Sequence, residues 1–527
     1  MAKVCNQILH TGSSFSMGMQ MEGLLWWVLA VALAYIVASF FFNNGKKPKL
    51  PPGPKPWPII GNLNLIGPIP HQSLHDLFQK YGELMHLKFG HFPVVVASTP
   101  EMAKQFLKTH DTAFASRPAL DAGRLTSYNY TDLTWAPYGP YWRLARKIYV
   151  VDVFSAKKLD SDAFHQIRVE ERQTFFSLMH SLAGKPVVLR GHLGRAAVIT
   201  ISRMVMGKAY FGEDESCLIG TDGFQELLDE WFFLNGVFSI CDWIPWLRFI
   251  DPQGYVRRMK NLHKELDRIF DFVVADHEAT RMKDTDSCSE KDVVYKMLDM
   301  TEEPTLGVAL SREHVKALLQ NLILGGTDTT PTSVEWILCE LMKNPPIVRK
   351  AKEELNRAVG RDRWVEESDF PELPYLDAII KETMRLHPIA TFLAPHCAME
   401  DCKVAGYDIP KGATVFINSW SLGRDPDSWD RPLEFLPERF MEKEIDIMGS
   451  NFAMLPFGAG RRRCPGYGHA LKNIRAIVAN LLHGFELKLP NGMKPSDVNM
   501  EEEYGLTTHP KEPLALIMEP TLPPHLY

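Results

Sequence analysis

The chain has 527 residues, with 58 basic against 64 acidic side chains and a formal net charge of −6. That balance excludes a nucleic-acid binder, which would carry a basic stripe and a high pI. The length admits several ordinary domains, but no low-complexity linker divides it and one large core is expected. Eight cysteines form no C-x-x-C pair and no dense framework, so disulfides are not expected and the compartment reads as reducing.

Residues 1–23 form a polar extension in which Met17, Met19 and Met21 are alternative starts. Residues 24–42 then run for 19 positions without a charge. At about 1.5 Å per residue this spans a hydrocarbon core of about 30 Å, as a transmembrane anchor must. Glu22 precedes the run and Lys46, Lys47 and Lys49 follow it, which places everything downstream in the cytosol. A cleaved signal peptide is disfavoured, because the apolar run is too long and no small-x-small cleavage site follows. Residues 43–58 are a basic, proline-rich hinge whose missing N–H groups stop the anchor helix from running on. Asn129-Tyr130-Thr131 is formally a glycosylation acceptor, but a cytosolic one stays unmodified.

Residues 59–527 are the globular remainder. Between 59 and 97 β-branched pieces such as Phe92-Pro93-Val94-Val95-Val96 predict a small sheet. Helical periods dominate from there to about Leu386, and strand-like segments return at 402–409 and 514–519. The expected class is mainly α with small β-sheets.

Trp142 and Arg146 lie four residues apart, hence on one helix face, where an indole N–H and a guanidinium can meet the same anion. Residues 321–336 are an apolar helix interrupted by Gly325, Gly326, Asp328, Thr329 and Pro331. Each glycine costs about 1 kcal/mol relative to alanine and the proline about 3, so roughly 5 kcal/mol of local disfavour is tolerated there. Working sites keep such strain. Pro331 lacks the N–H that would bind the Thr327 carbonyl, so a kink is predicted at Asp328 and Thr329, opening a groove that fits dioxygen and water. Glu382 and Arg385 stand three apart on a helix face, suited to an ion pair that Arg439 could join.

Residues 456–466 read Pro-Phe-Gly-Ala-Gly-Arg-Arg-Arg-Cys-Pro-Gly. Three arginines ahead of Cys464 favour thiolate over thiol, and Gly466 lets backbone come close. With no second cysteine or histidine nearby, zinc and iron–sulfur clusters are poorly served, whereas an axial thiolate beneath haem needs one sulfur. A dinucleotide loop is excluded, since the third glycine expected after Gly458 and Gly460 is Arg463.

Phe457, Gly460, Arg462, Cys464 and Gly466 match the haem-binding signature of the cytochrome P-450 superfamily. From about residue 24 to 520 the chain resembles a plant microsomal A-type monooxygenase of that superfamily. The resemblance implies the cytochrome P-450 fold behind one N-terminal transmembrane helix. Residues 59–527 would then be the haem-thiolate catalytic domain, anchored as a single pass in the endoplasmic reticulum with its catalytic part cytosolic. It further implies haem iron held by Cys464, haem propionates met by Trp142, Arg146 and His396, and proton relay to bound dioxygen by Asp328 and Thr329. In the family the Glu382–Arg385–Arg439 triad fixes the cysteine loop and does not react. Electrons would come from an NADPH-cytochrome P-450 reductase, with Arg461 and Arg463 helping it to dock.

By the same analogy the substrate pocket is lined by residues 116–131 and 231–241, by Leu324 and Gly325, and by residues 389–394. This apolar lining suits a terpenoid or a phenolic such as a flavonoid. The C-terminal half also resembles plant enzymes that cleave terpene alcohols to homoterpenes. A P-450 that rearranges a peroxide is a rival, against which the intact Asp328-Thr329 pair speaks. A haem-binding sensor or carrier is another.

Overall fold

The computed structural model of the chain describes Trp27 and residues 48–212, 219–283, 292–443 and 445–527. The expected extension over 1–23 and anchor over 24–42 lie outside the described residues, Trp27 apart. Among those described, no helix is long and apolar enough to cross a membrane. Residues 1–50 and 51–527 are separate units, and all that follows concerns the second.

Pro52, at the start of the second unit, lies beside the first strand, with the His86 N–H donating to its carbonyl at 2.8 Å. A Cβ on Gly53 would stand 1.9 Å from the His86 carbonyl oxygen, so only glycine fits. The predicted sheet is present. Strands β1 (Leu84–Phe89) and β2 (Phe92–Ala97) pair antiparallel around Gly90, whose φ of 57° the turn requires. β2 also pairs in parallel with a strand over 300 residues later, β4 (Thr414–Ile417), which carries β3 (His396–Cys397) on its far side. Val94, Val95, Val96 and Ala97 are fully buried, as the apolar run of a sheet covered on both faces should be. The two strand-like stretches near the C-terminus fold as expected. Residues 402–409 make a hairpin turning at Ala405 and Gly406, and Ala515–Pro520 is the central strand of a three-stranded sheet.

Helices supply the rest. Those that build the site are α1 (Pro140–Lys147), α2 (Leu189–Met206), α3 (Thr221–Gly236), α4 (Tyr255–Lys283), α5 (Arg312–Thr327), α6 (Thr329–Lys343), α7 (Pro374–Leu386) and α8 (Tyr467–Gly484). α5 and α6 run through the middle, and every residue from Thr330 to Met342 is buried. A helix covered on all sides can carry apolar residues all round, which is why this stretch lacks a clear polar face. Gly326 lets α2 approach, since a Cβ there would meet Ile201 Cγ1 at 3.1 Å. The predicted interruption falls between α5 and α6 at Asp328, and the Thr332 N–H donates to the Asp328 carbonyl at 3.1 Å to restart the helix.

Candidate functional site

The cysteine loop sits at the head of α8. Gly458 and Gly460 take φ of 67° and 66°, and a Cβ on Gly460 would lie 2.2 Å from the Leu107 carbonyl oxygen. Both conformation and space therefore require glycine at 460. At Gly466 a Cβ would make only ordinary contact with the Phe154 ring, so closeness is not what this glycine provides there. The Cys464 N–H donates to the Phe457 carbonyl at 2.9 Å, closing the loop on itself. Burial pushes the Cys464 thiol up, outweighing the Gly466 and Tyr467 N–H groups and the charges of Arg146 and Arg463, which pull the other way. The help expected from the arginines is present but smaller than the burial that opposes it. A metal bound there would favour the thiolate.

The three arginines diverge. Arg461 points outward to Asp111, with N and O 3.0 Å apart. Arg463 donates to the Met448 carbonyl and lies over the Tyr467 ring. Arg462 turns inward, donating to the carbonyls of Ala115 (2.7 Å), Leu133 (3.2 Å) and Ala136 (2.6 Å), with its guanidinium 4.4 Å from the centre of the Trp142 ring. The Trp142 indole N–H donates to the same Leu133 carbonyl at 3.1 Å. His396 is buried on β3 with Nδ1 2.8 Å from the Phe114 carbonyl, so Nδ1 carries the proton, and burial lowers its pKa to about 3. A further basic residue, Arg117, joins them by donating to the carbonyls of Thr134, Ala394 and Pro395.

This corner is rich in positive charge. Burial and the neighbouring Arg117 bring Arg462 down to about 8, burial brings Arg117 to about 10, and burial also lowers Arg146. The single nearby carboxyl, Asp132, is itself raised to about 6 by burial. Among the described residues none of Arg117, Arg146 and Arg462 has an ion pair. Three half-buried like charges close together without an anion are unfavourable, and a dianionic group among them reverses the balance. The two propionates of haem are such a group, and Cys464 acts on Arg146 through space.

On α5, Gly325 is exposed although its helix neighbours Leu322, Ile323 and Leu324 are buried, and a Cβ there would meet nothing within 4 Å. The Thr329 hydroxyl donates to the Gly325 carbonyl at 3.1 Å. A bare stretch of helix faced by open space is what a flat ring needs, so the residues present fit haem.

Asp328 is buried, and burial raises its carboxyl pKa. One of its oxygens accepts from Thr507 Oγ1 at 2.6 Å. Glu382 and Arg385 form a two-stranded pair with N–O distances of 2.7 and 2.8 Å, and Arg439 Nε joins the same carboxylate at 3.0 Å. Arg385 also lies 5.3 Å from the centre of the Trp429 ring, and the Trp429 N–H donates to the Ala453 carbonyl, three residues before Pro456. The triad thus touches the approach to the cysteine loop.

A largely apolar cleft is lined by Leu120, Phe238, Phe392 and Leu393 from the expected stretches. It is also lined by Tyr504 and Leu506, which sequence reasoning missed. Arg117 and Thr507 were missed as well. Their partners lie 17 to 278 and 179 positions away, so no local periodicity marks them.

A family model described as Cytochrome P450 matches residues 51–517. Trimethyltridecatetraene synthase of Zea mays is 43% identical, covering 94% of this chain and 95% of its own length. Dimethylnonatriene synthase of Zea mays is 42% identical over 98% and 99%, and flavonoid 3'-monooxygenase of Arabidopsis thaliana 42% over 95% and 98%. A zebrafish cytochrome P450 solved with progesterone has a TM-score of 0.74 at 25% identity, covering 86% of this chain and 99% of that one.

Proposed function

Since this chain belongs to the cytochrome P450 family and is a haem-thiolate monooxygenase, we propose that it oxidises a hydrophobic plant specialised metabolite, a terpenoid or a flavonoid-like phenolic. Bound haem supplies the iron at which dioxygen is reduced with two electrons and two protons, one oxygen atom entering a C–H bond of the substrate and the other leaving as water. Cys464 would hold its iron through the sulfur. Arg117, Arg146 and Arg462 would meet its propionates, whereas Trp142 gives its N–H to the Leu133 carbonyl and neutral His396 gives its Nδ1–H to Phe114, so the expected donor role of those two is not what they do here. Arg462 and Arg117 hold the loops 115–117 and 133–136 together through carbonyls, so the charge that meets the anion is fixed before it arrives.

Asp328 sits in a buried setting that raises its carboxyl pKa toward the neutral form, and Thr329, the next residue, presents a hydroxyl beside the bare Gly325. An acid followed by an alcohol in a broken helix can pass a proton inward and regain it from water. The cleft's mostly aromatic and aliphatic walls suit apolar substrates.

The observation that carries the reading is the half-buried guanidinium cluster beside Cys464, which has no carboxylate partner among the described residues. The intact Asp328-Thr329 pair favours oxygen activation over peroxide rearrangement or haem carriage. Identity of 43% and 42% to the two homoterpene-forming relatives supports a second outcome, oxidative C–C cleavage of a terpene alcohol.

We further infer an NADPH-cytochrome P450 reductase as electron donor, because the chain has no flavin or nicotinamide motif of its own. The uncharged run 24–42 supports an anchor in the endoplasmic reticulum membrane with a cytosolic catalytic domain. Trp57, Ile59, Trp246 and Phe249, all exposed, are suited to lipid contact. The test is expression with a plant reductase and incubation with acyclic terpene alcohols and with flavonoids bearing hydrogen at the 3′ position. NADPH-dependent oxygenated or shortened products are expected, and turnover without NADPH or reductase would overturn the reading.

A further inference from the structure

Residues 504–508 link the paired short strands Glu502–Glu503 and His509–Pro510 and are pinned on both sides. The Leu506 N–H donates to the Phe232 carbonyl on α3 at 3.1 Å, and a Cβ on Gly236 of α3 would lie 2.0 Å from the Leu506 nitrogen. The Thr508 N–H donates to the Ile389 carbonyl at 2.7 Å, and its carbonyl accepts from Trp336 Nε1 of α6 at 3.0 Å. Thr507 stands between these two fastened neighbours, is itself buried, and places Oγ1 2.6 Å from Asp328 Oδ2. Among the described residues no cation pairs with Asp328 and no other side chain hydrogen-bonds to its carboxyl. Arg190, His509 and Asp229 act on it only through space.

We propose that Thr507 is a positioning residue for proton delivery, its hydroxyl fixing Asp328 by Oδ2 so that Oδ1 is left to transfer the proton toward Thr329. The proton that moves is the carboxyl's own, replaced from water, and Thr507 keeps its hydroxyl proton throughout. The hydroxyl donates to the charged carboxylate, so it lowers the Asp328 pKa against the burial that raises it. The same hairpin walls the substrate cleft through Tyr504 and Leu506, so the acid is set by a part of the molecule that substrate touches. This inference rests on the monooxygenase reading, in which Asp328 handles protons.

The experiment uses the full-length haem-loaded protein with Thr507→Val, which keeps shape and removes the donor, and Thr507→Ser, which restores it. The infrared band of the Asp328 carboxyl, isolated by difference against Asp328→Asn, is followed over pH without substrate or reductase. Thr507→Val is expected to move its titration midpoint upward by about one pH unit and Thr507→Ser to return it. In turnover, Thr507→Val should lower product formed per NADPH several-fold with substrate binding within about twofold of wild type. Should the valine variant not take up haem, Thr507→Ala replaces it. A band and midpoint equal to wild type in the variant lacking the hydroxyl overturn the proposal. Absence of NADPH-dependent product from wild type would instead sink the monooxygenase reading, and the infrared comparison would still decide whether Thr507 sets Asp328.

Discussion

Arg439 Nε stands 3.0 Å from Glu382 Oε1, which also accepts the Leu436 N–H at 2.8 Å, so one fully buried oxygen ties α7 to a segment more than fifty positions later. Its second oxygen is held by Arg385, whose guanidinium further binds the Pro432 and Glu434 carbonyls. Removing the carboxylate charge strands two arginines away from water. Glu382→Gln should cost about 3 to 5 kcal/mol of stability and most haem content, through displacement of the Trp429–Ala453 contact. The measurement is the thermal midpoint together with haem per polypeptide, and a stable, fully loaded variant would refute the positioning role.

Cys464→Ser should abolish the thiolate-type spectrum of the reduced carbon monoxide complex, because a serine oxygen cannot replace a soft sulfur donor. The same variant reports on packing. Sulfur to oxygen removes little volume, so the far-ultraviolet circular dichroism should hold. A normal carbon monoxide spectrum would remove Cys464 as the ligand.

Thr329→Ala keeps the cleft and the cysteine loop and removes the hydroxyl beside Gly325. Haem and substrate should still bind, while the ratio of product to NADPH consumed falls and hydrogen peroxide rises. Positioned general acid–base groups contribute about 10² to 10⁴ in rate, so the change should be plain. Unchanged coupling would mean that water or substrate supplies the proton.

Glu367 predicts a pH effect on stability. Burial alone would raise its pKa, but Arg168 and Lys472 hold the carboxyl at about 2, against 4.5 unperturbed. A depressed carboxyl contributes stability that is complete above about pH 4.5 and is lost as pH falls toward 2. Allowing for its partial solvent contact, the contribution is about 2 kcal/mol. Lys472 belongs to α8, so the loss loosens the helix that follows Cys464. Urea unfolding midpoints between pH 5 and 3 should fall steeply in wild type and less in Glu367→Gln, and parallel slopes would contradict this.

Deleting residues 1–45 should shift much of the protein out of the membrane fraction, with some retained by the exposed Trp57, Ile59, Trp246 and Phe249. In sealed microsomes the chain after Pro51 should be digested by added protease. Protection there would reverse the topology.

Features written in short stretches of sequence were legible. Cys464 and its glycines, Asp328-Thr329 beside two glycines and a proline, and Glu382 with Arg385 each occupy a dozen residues or fewer, so type and spacing announce them. The sheet at 84–97 was legible from its β-branched run. What could not be read depends on distant backbone. Arg462 and Trp142 were named from the sequence, but their carbonyl partners, which every residue carries, were not, and Arg117 was missed for the same reason. Thr507 gains its role only when the C-terminal hairpin is fastened between α3 and α6. The balance at Cys464 was also hidden, because arginine count shows the charges and not the burial that outweighs them.

The parallel pairing of β2 with β4 has a consequence for synthesis. Val94 meets Thr414 and Ala97 meets Ile417, so these buried residues have no permanent cover until some 320 further residues have left the ribosome. At about 5 to 20 residues per second that interval is roughly 15 to 60 seconds. Throughout it Val94-Val95-Val96, paired with β1 on one side, has a free edge on the other, prone to pair with another chain. The earlier half of the protein therefore waits on the later half for its sheet to be completed, and Cys464 follows β4 out only about fifty residues after that.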